Sequence, residues 1–307
     1  MLVHLTRLSL LGWISCLNRG GLSLAIYDID GNSIPSAFGS TGNELSSAYD
    51  LSGGKVFPGT YDLVVMTYNV QWFTGINSQL AMQQKIINDN NADIIGLQEL
   101  TQNGTISQVG VTALSPYQYQ QISNHKNYIG MASKLPLSNI VVADYVNQSP
   151  SDMSQWNETR AYMMADISVG GKTITWFNTH LSVDQDYKYL QMGELFDLMQ
   201  MKEYAIATGD FNISDYETIS DSKWINMIKQ FSDAGYNVAN NRTSGHTNTY
   251  TGATSATSLA EFTKPHDDII TSGNISIESV KFDTTKLSYL NGSSIDHIPI
   301  IACLEIN

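Results

Sequence analysis

The sequence predicts a layered α/β domain, in which two packed β-sheets lie between helices, with a small β-rich appendage at the N-terminus. Two observations predict it. From residue 61 onward, short apolar runs alternate with segments of helical character as far as residue 307. Before that point, signals for strands and turns repeat over residues 18–60. Mixed strands and helices bury their apolar faces most simply as stacked layers around a common core.

The apolar runs and the turn residues predict the individual elements of the domain. Gly170 and Gly171 mark a hairpin turn between two strands, and Leu195, Leu198 and Met199 lie on one face of a predicted helix. The predicted strands are 62–70, 93–97, 162–169, 173–178, 205–208, 269–270, 275–282 and 298–304, and the predicted helices are 78–90, 186–201 and 221–234. The Ser/Thr-rich stretch 245–263 is expected to be a long loop, and such loops often serve function.

The N-terminal region divides into two parts. Residues 1–17 form an apolar leader that is too short to span a bilayer, so it is either a weak secretory signal or anchor, or an ordinary amphipathic or disordered leader. In residues 18–60 the segment Tyr27–Gly31 recurs as Tyr49–Gly53, a repeat at an offset of 22 residues. Each unit has the pattern of a hairpin. By analogy, this appendage could attach the rest of the chain to a larger assembly or surface. Localisation stays open.

Charge restricts the kinds of partner. The formal net charge is -13, and the 16 Lys and Arg residues are scattered without a basic run. This argues against a protein that grips nucleic acid along an extended cationic stripe. It does not exclude a nuclease, because a bound metal can supply positive charge at the phosphate. Of the two cysteines, Cys303 lies in an apolar run and is expected to be buried.

The most informative polar residues share one placement, because each lies at or just beyond the end of an apolar strand. They are Asn69, Glu99, His180, Asp210 and Asn212, with Asp296 and His297 immediately before the last strand. Strand ends at one rim of a sheet stack can converge on one pocket. Each residue alone is more often a solvated strand end, a turn residue or a structural histidine. The ordered set is what favours a site.

The chemistry of the set suits hydrolysis of a phosphate ester. Oxygen ligands without cysteine indicate Mg²⁺, Mn²⁺ or Ca²⁺, with Glu99 as the best ligand, helped by Asn69 and Asp296. Asp210 can act as general base on a water molecule, and Asn212 can hold either that water or a phosphate oxygen. The two histidines, His180 and His297, can then donate to non-bridging oxygens, where negative charge grows in the transition state.

Five motifs together resemble the endonuclease/exonuclease/phosphatase superfamily, the fold of exonuclease III and pancreatic deoxyribonuclease. They are Thr67-Tyr68-Asn69-Val70-Gln71-Trp72, Ile95-Gly96-Leu97-Gln98-Glu99, Asn178-Thr179-His180-Leu181, Thr208-Gly209-Asp210-Phe211-Asn212 and Ile295-Asp296-His297-Ile298-Pro299. The resemblance runs from about residue 61 to the C-terminus. It implies a four-layered α/β sandwich and a phosphoesterase that depends on Mg²⁺ or Mn²⁺.

The resemblance also implies roles for further residues. An Asp that orients the last histidine is expected in Pro265-His266-Asp267-Asp268-Ile269-Ile270, where Asp267 is the better match and Asp268 stands at the usual aromatic position. Arg160 resembles an arginine that can face substrate, with a surface ion pair as the alternative. Tyr128 lies where many members place a residue near the phosphate, but it also fits a structural role. In the long loop, His246 and Tyr250 are further candidates for substrate contact.

The substrate is less well determined, because the site chemistry is shared across the superfamily. The first choice is a DNase-like nuclease acting on a phosphodiester, with nucleic acid as the favoured partner and a monomeric catalytic domain. A sphingomyelinase-like or inositol-phosphate phosphoesterase is the alternative, although Lys and Arg are sparse around Asp210 and His297. A hypothesis of another class is an inactive binding or structural module tethered by the N-terminal repeats. The chemically complete residue set argues against inactivity.

Overall fold

A computed structural model gives the three-dimensional structure. It describes residues 26–27, 33–34, 61–70, 77–100, 117–121, 128–155, 158–213, 230–240, 249–250, 263–283 and 296–307. The leader, the second repeat unit, most of the predicted helix 221–234 and most of the loop 245–263 lie outside these residues. In the described part, no helix is long and apolar enough to cross a membrane.

The described chain contains three helices and fourteen strands. The helices are α1 (Asn77–Asn90), α2 (Pro150–Gln155) and α3 (Gln185–Gln200). The first strands are β1 (Ile26–Tyr27), β2 (Ser33–Ile34), β3 (Leu63–Asn69), β4 (Ile94–Gln98), β5 (Gln118–Gln121), β6 (Gly130–Ser133) and β7 (Ser138–Asp144). The others are β8 (Ala161–Val169), β9 (Lys172–His180), β10 (Ala205–Asp210), β11 (Asn237–Val238), β12 (Asp267–Thr271), β13 (Ile275–Phe282) and β14 (Ile300–Ile306).

Two six-stranded mixed sheets form the centre of the domain. The first has the order β13-β14-β3-β4-β6-β5, and the second has the order β11-β12-β10-β9-β8-β7. Each sheet contains a single parallel pair among its named neighbours, β3 with β4 and β9 with β10. The other pairings in both sheets are antiparallel.

Burial shows how the layers stack. Along β3 all seven residues are buried, and they alternate between two cores: Leu63 and Val65 face the second sheet, whereas Val64 and Met66 face α1. This is the two-residue period of a strand that is covered on both faces. On the far side, α3 packs Met192, Leu195, Phe196 and Met199 against the outer face of the second sheet. The order helix, sheet, sheet, helix is the predicted four-layered sandwich.

Five elements of the structure were not predicted from the sequence: strands β5, β6, β7 and β11 and helix α2. Of the unpredicted elements, β5, β7 and β11 are edge strands, whereas β6 lies between β4 and β5 and α2 is a helix of six residues. Strand β7 shows why edge strands are hard to predict, since its residues are largely exposed and lack a clear alternation. In the N-terminal region, Ile26–Tyr27 pairs antiparallel with Ser33–Ile34, which agrees with a hairpin in the first repeat unit. Cys303 is fully buried in β14, as expected.

Candidate active site at the strand-end rim

Sheet topology brings the carboxyl ends of four strands to one rim. Because β3 and β4 run parallel, their last residues, Asn69 and Gln98, lie side by side, and Glu99 directly follows Gln98. In the other sheet β9 and β10 also run parallel, and His180 is the register partner of Asp210. The antiparallel strands supply their beginnings to the same rim, so Asp267 pairs with Asp210.

Asp210 lies at the centre of the cluster and is almost fully buried. Its Oδ2 atom accepts a hydrogen bond from Asn69 Nδ2 at 2.9 Å, and it is 3.5 Å from Nε2 of both His180 and His297. The same amide nitrogen of Asn69 donates to Glu99 Oε1 at 3.1 Å. Asn69 therefore bridges the two carboxylates and holds Asp210 beside Glu99.

His297 is held by Asp267. Its Nδ1 lies 2.8 Å from Asp267 Oδ2, which leaves Nε2 directed at Asp210. Burial alone opposes the charged imidazolium, but the carboxylates of Asp267, Asp210 and Asp296 raise the pKa of His297 to about 10. His297 is therefore a cation and a donor at neutral pH. Asp268, the alternative in the motif, instead accepts from the backbone N–H groups of Asn240 and Ile269.

His180 differs from His297 in its charge. Burial lowers the pKa of His180 to about 3 in spite of the nearby Asp210 carboxylate, and the cations Arg160 and His297 act in the same direction as burial. The ring is thus neutral at physiological pH. It can donate one N–H to a substrate oxygen, but it contributes no charge.

Two site residues have left-handed backbone conformations. Glu99 has φ 55° and Asn212 has φ 52°, values that side-chain-bearing residues adopt rarely and at some cost. At Asn212 the surrounding contacts hold this geometry, because its backbone N–H donates to Asp210 Oδ1 at 2.7 Å and its Nδ2 donates to the Leu181 carbonyl at 2.8 Å. The turn after β10 is therefore fixed to the strand end that carries the general-base candidate.

Several carboxylates make the rim suitable for a cation. Burial, followed by the nearby Asp296 carboxylate, raises the pKa of Glu99 to about 7, and the Asp210 carboxylate adds to this rise. Crowded anions of this kind are stabilised by a bound cation. Glu99, His180 and Asp210 place ligand atoms within 4.8 Å of one another. The carboxylate oxygens of this donor set fit Mg²⁺ or Mn²⁺.

Two predicted substrate contacts, Arg160 and Tyr128, lie in structural surroundings. Arg160 is 2% exposed, and its Nε pairs with Asp152 Oδ2 at 3.0 Å while a second nitrogen pairs with Glu158 at 3.3 Å. Its burial in these ion pairs favours a structural role. Tyr128 packs within the apolar core under α1, which favours a structural role over a contact with the phosphate. His246 lies outside the described residues.

Sequence reasoning gave no site role to two residues that lie near Asp210. Lys188 of α3 is 2% exposed, and its Nζ donates to the carbonyl of Asn212. Burial lowers the pKa of Lys188 to about 8, partly offset by Asp210. Its signal in the sequence was a lysine on the buried face of an amphipathic helix. His266 precedes Asp267 and stacks on Tyr250, with ring centroids 4.3 Å apart.

A buried polar cluster fastens the two sheets together below the rim. Asn178 of β9 donates to the carbonyls of Leu97 and Gly130 in the other sheet, at 2.9 and 2.7 Å. Its Oδ1 accepts from Gln98 Nε2 at 2.8 Å and from Thr208 Oγ1 at 3.1 Å. Because these polar groups are buried, each hydrogen bond offsets the cost of removing its donor and acceptor from water. A shift of one sheet against the other would break these bonds, so they favour one relative position of the sheets.

Comparisons with known proteins agree with this architecture. The model of the Endonuclease/Exonuclease/phosphatase family matches residues 66–288. No curated protein sequence matches the chain. Among solved structures, an endonuclease/exonuclease/phosphatase from Bacteroides vulgatus is similar with a TM-score of 0.63 at 15% identity, covering 81% of this chain and 100% of that one.

Two further solved structures are similar to this chain. The mannosyl-6-phosphatase Bt3783 of Bacteroides thetaiotaomicron has a TM-score of 0.59 at 16% identity, with 79% of this chain and 99% of that chain covered. D. rerio TDP2, complexed with a single-strand DNA product, has a TM-score of 0.58 at 14% identity, with 79% and 98% covered. At such identities the likeness establishes the shared fold.

Proposed function

Because this chain belongs to the endonuclease/exonuclease/phosphatase family, we propose that it is a metal-dependent phosphodiesterase whose first-choice substrate is nucleic acid. Family members are generally hydrolases of phosphoester bonds. The observation that carries the proposal is the position of Asp210. Its Oδ2 atom is 3.5 Å from each of two imidazoles, and the Asn69 amide links its carboxylate to that of Glu99.

In this proposal Glu99 holds the cation, with Asn69 and Asp296 as further ligands. Mg²⁺ or Mn²⁺ bound there would neutralise charge on the phosphate and polarise it toward attack. Asn69 has a second function in the protein, because its hydrogen bonds fix the positions of Glu99 and Asp210 relative to each other. Removing the Asn69 side chain would therefore affect both the cation and the general base.

Asp210 takes the proton from the attacking water. Its Oδ1 is oriented by the Asn212 N–H, so the carboxylate is held by the turn that follows β10. His297 is protonated, and its Nε2 lies 3.5 Å from this carboxylate. From that position the Nε2–H group donates to a non-bridging oxygen of the phosphate. Neutral His180 gives a second donor, with its Nε2 3.5 Å from the same carboxylate. The buried setting strengthens each of these interactions.

The test is hydrolysis of bis-p-nitrophenyl phosphate by the full chain. We expect turnover with Mg²⁺ or Mn²⁺ that EDTA abolishes. Asp210→Asn and His297→Ala should each lower kcat by about 10²–10⁴, the usual loss when a positioned proton donor or acceptor is removed. Asp197→Asn, at an exposed position near the C-terminal end of α3, serves as a matched carboxylate control and should retain turnover. Turnover that survives in EDTA or in the Asp210 variant would contradict the proposal.

The substrate class is tested separately. Plasmid DNA, RNA, sphingomyelin, inositol phosphates and a sugar 6-phosphate are compared with equal enzyme and cation. Because the chain carries a net charge of -13, we expect DNA cleavage whose rate rises as salt screens the repulsion. Preferential turnover of a phosphomonoester would keep the site chemistry and replace the nuclease proposal.

A further inference from the structure

A second group of candidate ligands shares Asp210 with the group that contains Glu99. Asp210, His266 and His297 each place one ligand atom within 4.8 Å of those of the other two, and all three side chains are buried. His266 has no part in the proposed hydrolysis. The group contains two imidazoles and one carboxylate, whereas the Glu99 side of the rim is richer in oxygen.

His266 has an unused ring nitrogen. The side chain is 7% exposed, and among the described residues its Nε2 finds no hydrogen-bond partner. Buried polar atoms normally have a partner, so a nitrogen of this kind requires an explanation. Burial lowers the pKa of His266 well below its ordinary value, which keeps the ring in the neutral form that binds metals. Stacking on Tyr250, with 8° between the ring planes, fixes its orientation.

His297 is oriented as metal-binding histidines usually are. Such a histidine donates one ring N–H to a carboxylate and presents the other nitrogen to the metal. Here Asp267 holds Nδ1 at 2.8 Å, and Nε2 lies 3.5 Å from Asp210 Oδ2. In a tetrahedral site with bonds of 2.0–2.1 Å, neighbouring ligand atoms are about 3.3 Å apart. The separation of Asp210 and His297 is close to that value.

We propose that Asp210, His266 and His297 form a site for a transition-metal ion of the Zn²⁺ class, and that its occupation inhibits the phosphoesterase. Two imidazoles with one carboxylate favour Zn²⁺ over Mg²⁺, which prefers oxygen ligands and octahedral geometry. When the ion binds, the Nε2 proton of His297 leaves to solvent. Inhibition follows because the ion occupies both the general base and the phosphate donor. The inhibition rests on the proposed function, whereas the binding of Zn²⁺ does not.

Binding is tested by titrating the full chain with Zn²⁺ in excess Mg²⁺ by calorimetry. We expect one Zn²⁺ to bind per chain. His266→Phe should weaken this Zn²⁺ binding at least about 100-fold, because the ion itself loses a ligand. Phenylalanine keeps a flat ring against Tyr250. Asp210→Asn should weaken binding as well, while Glu99→Gln should bind Zn²⁺ like the wild type. Equal Zn²⁺ affinity in the wild type and the folded His266→Phe variant would overturn the site.

Thermal unfolding without metal checks that His266→Phe is folded, and His266→Gln provides a second variant if it is not. In the activity assay, micromolar Zn²⁺ should inhibit wild-type turnover, whereas His266→Phe should keep its Mg²⁺-dependent turnover and resist Zn²⁺. Zn²⁺ binding without inhibition would overturn the inhibitory clause alone. A protein that binds Zn²⁺ but never turns over phosphodiesters would instead contradict the proposed function, so the two failures are distinguishable.

Discussion

Nδ1 of His297 lies 2.8 Å from Oδ2 of Asp267, and this contact joins the two sheets at the rim. Asp267 begins β12 in one sheet, while His297 stands three residues before β14 in the other. The carboxylate both orients the imidazole and, with Asp210 and Asp296, raises its pKa to about 10 despite burial. The contact thus fixes the position and the charge of one proposed phosphate donor.

Replacing Asp267 with Asn should lower the pKa of His297 toward its ordinary value. The amide keeps the shape of the side chain but removes the negative charge that favours the imidazolium. NMR titration of the imidazole in the metal-free protein measures the change directly. In the assay, the loss of activity at alkaline pH should move to lower pH, because the protonated donor is lost earlier. An unchanged pKa near 10 in Asp267→Asn would contradict this account of the site.

Gly96→Ala should destabilise the protein by about 1–3 kcal/mol, the usual cost of overpacking a core. A Cβ at this position would lie 2.1 Å from Thr208 Oγ1 and 2.4 Å from Asn178 Oδ1, so the sheets would have to separate at their polar cluster. Gly193→Ala in α3 is the matched control. Its Cβ would meet nothing within 4 Å, and alanine in a helix should add up to about 1 kcal/mol. Urea unfolding measures both, and equal effects would refute the packing argument.

Lys188 predicts a specific pH dependence of stability. Its pKa is about 8 in the folded chain, below its ordinary value of 10.5, because burial disfavours the charge. Between these values the unfolded chain binds more protons than the folded one, so the contribution of Lys188 to stability rises with pH. Relative to Lys188→Met, the wild type should gain at most about 1.4 kcal/mol per pH unit in this window. Urea denaturation of both proteins at pH 7.5, 8.5 and 9.5 tests this prediction. The same pH dependence of the unfolding free energy in the wild type and in Lys188→Met would contradict a lowered pKa of Lys188.

Arg160 distinguishes a structural from a substrate-binding role. Arg160→Met leaves the fully buried Asp152 carboxylate without its arginine, which should cost about 3–5 kcal/mol of stability. The double variant Arg160→Met/Asp152→Leu should recover most of that loss. Because the guanidinium is engaged in ion pairs, KM should stay within about twofold of the wild type in folded protein. A large rise in KM with little change in stability would support the substrate contact expected from the sequence.

Much of the fold could be predicted from the sequence, as could most of the residues that the structure brings together at the rim. The strand containing Asn69, the helix from Asn77 to Asn90 and the hairpin at Gly170 were predicted within a residue or two. Two of their signals are local in the sequence: β3 contains a continuous apolar run and is buried along its whole length, and adjacent glycines mark the hairpin turn. The exposed strand β7 was missed, since an edge strand needs no regular pattern of burial.

The sequence by itself determined which groups are present: carboxylates, amides and histidines at strand ends, in an order that resembles one family. Only the tertiary structure decided how they act on one another. Register places Asp267, rather than Asp268, against His297, and burial makes His180 neutral while three carboxylates keep His297 charged. The packing of the sheets and α3 also brings Lys188 and His266 close to Asp210 from other parts of the chain. The physical reason is that pKa values and ligand geometry depend on distances and solvent exclusion, which arise only when the two sheets pack.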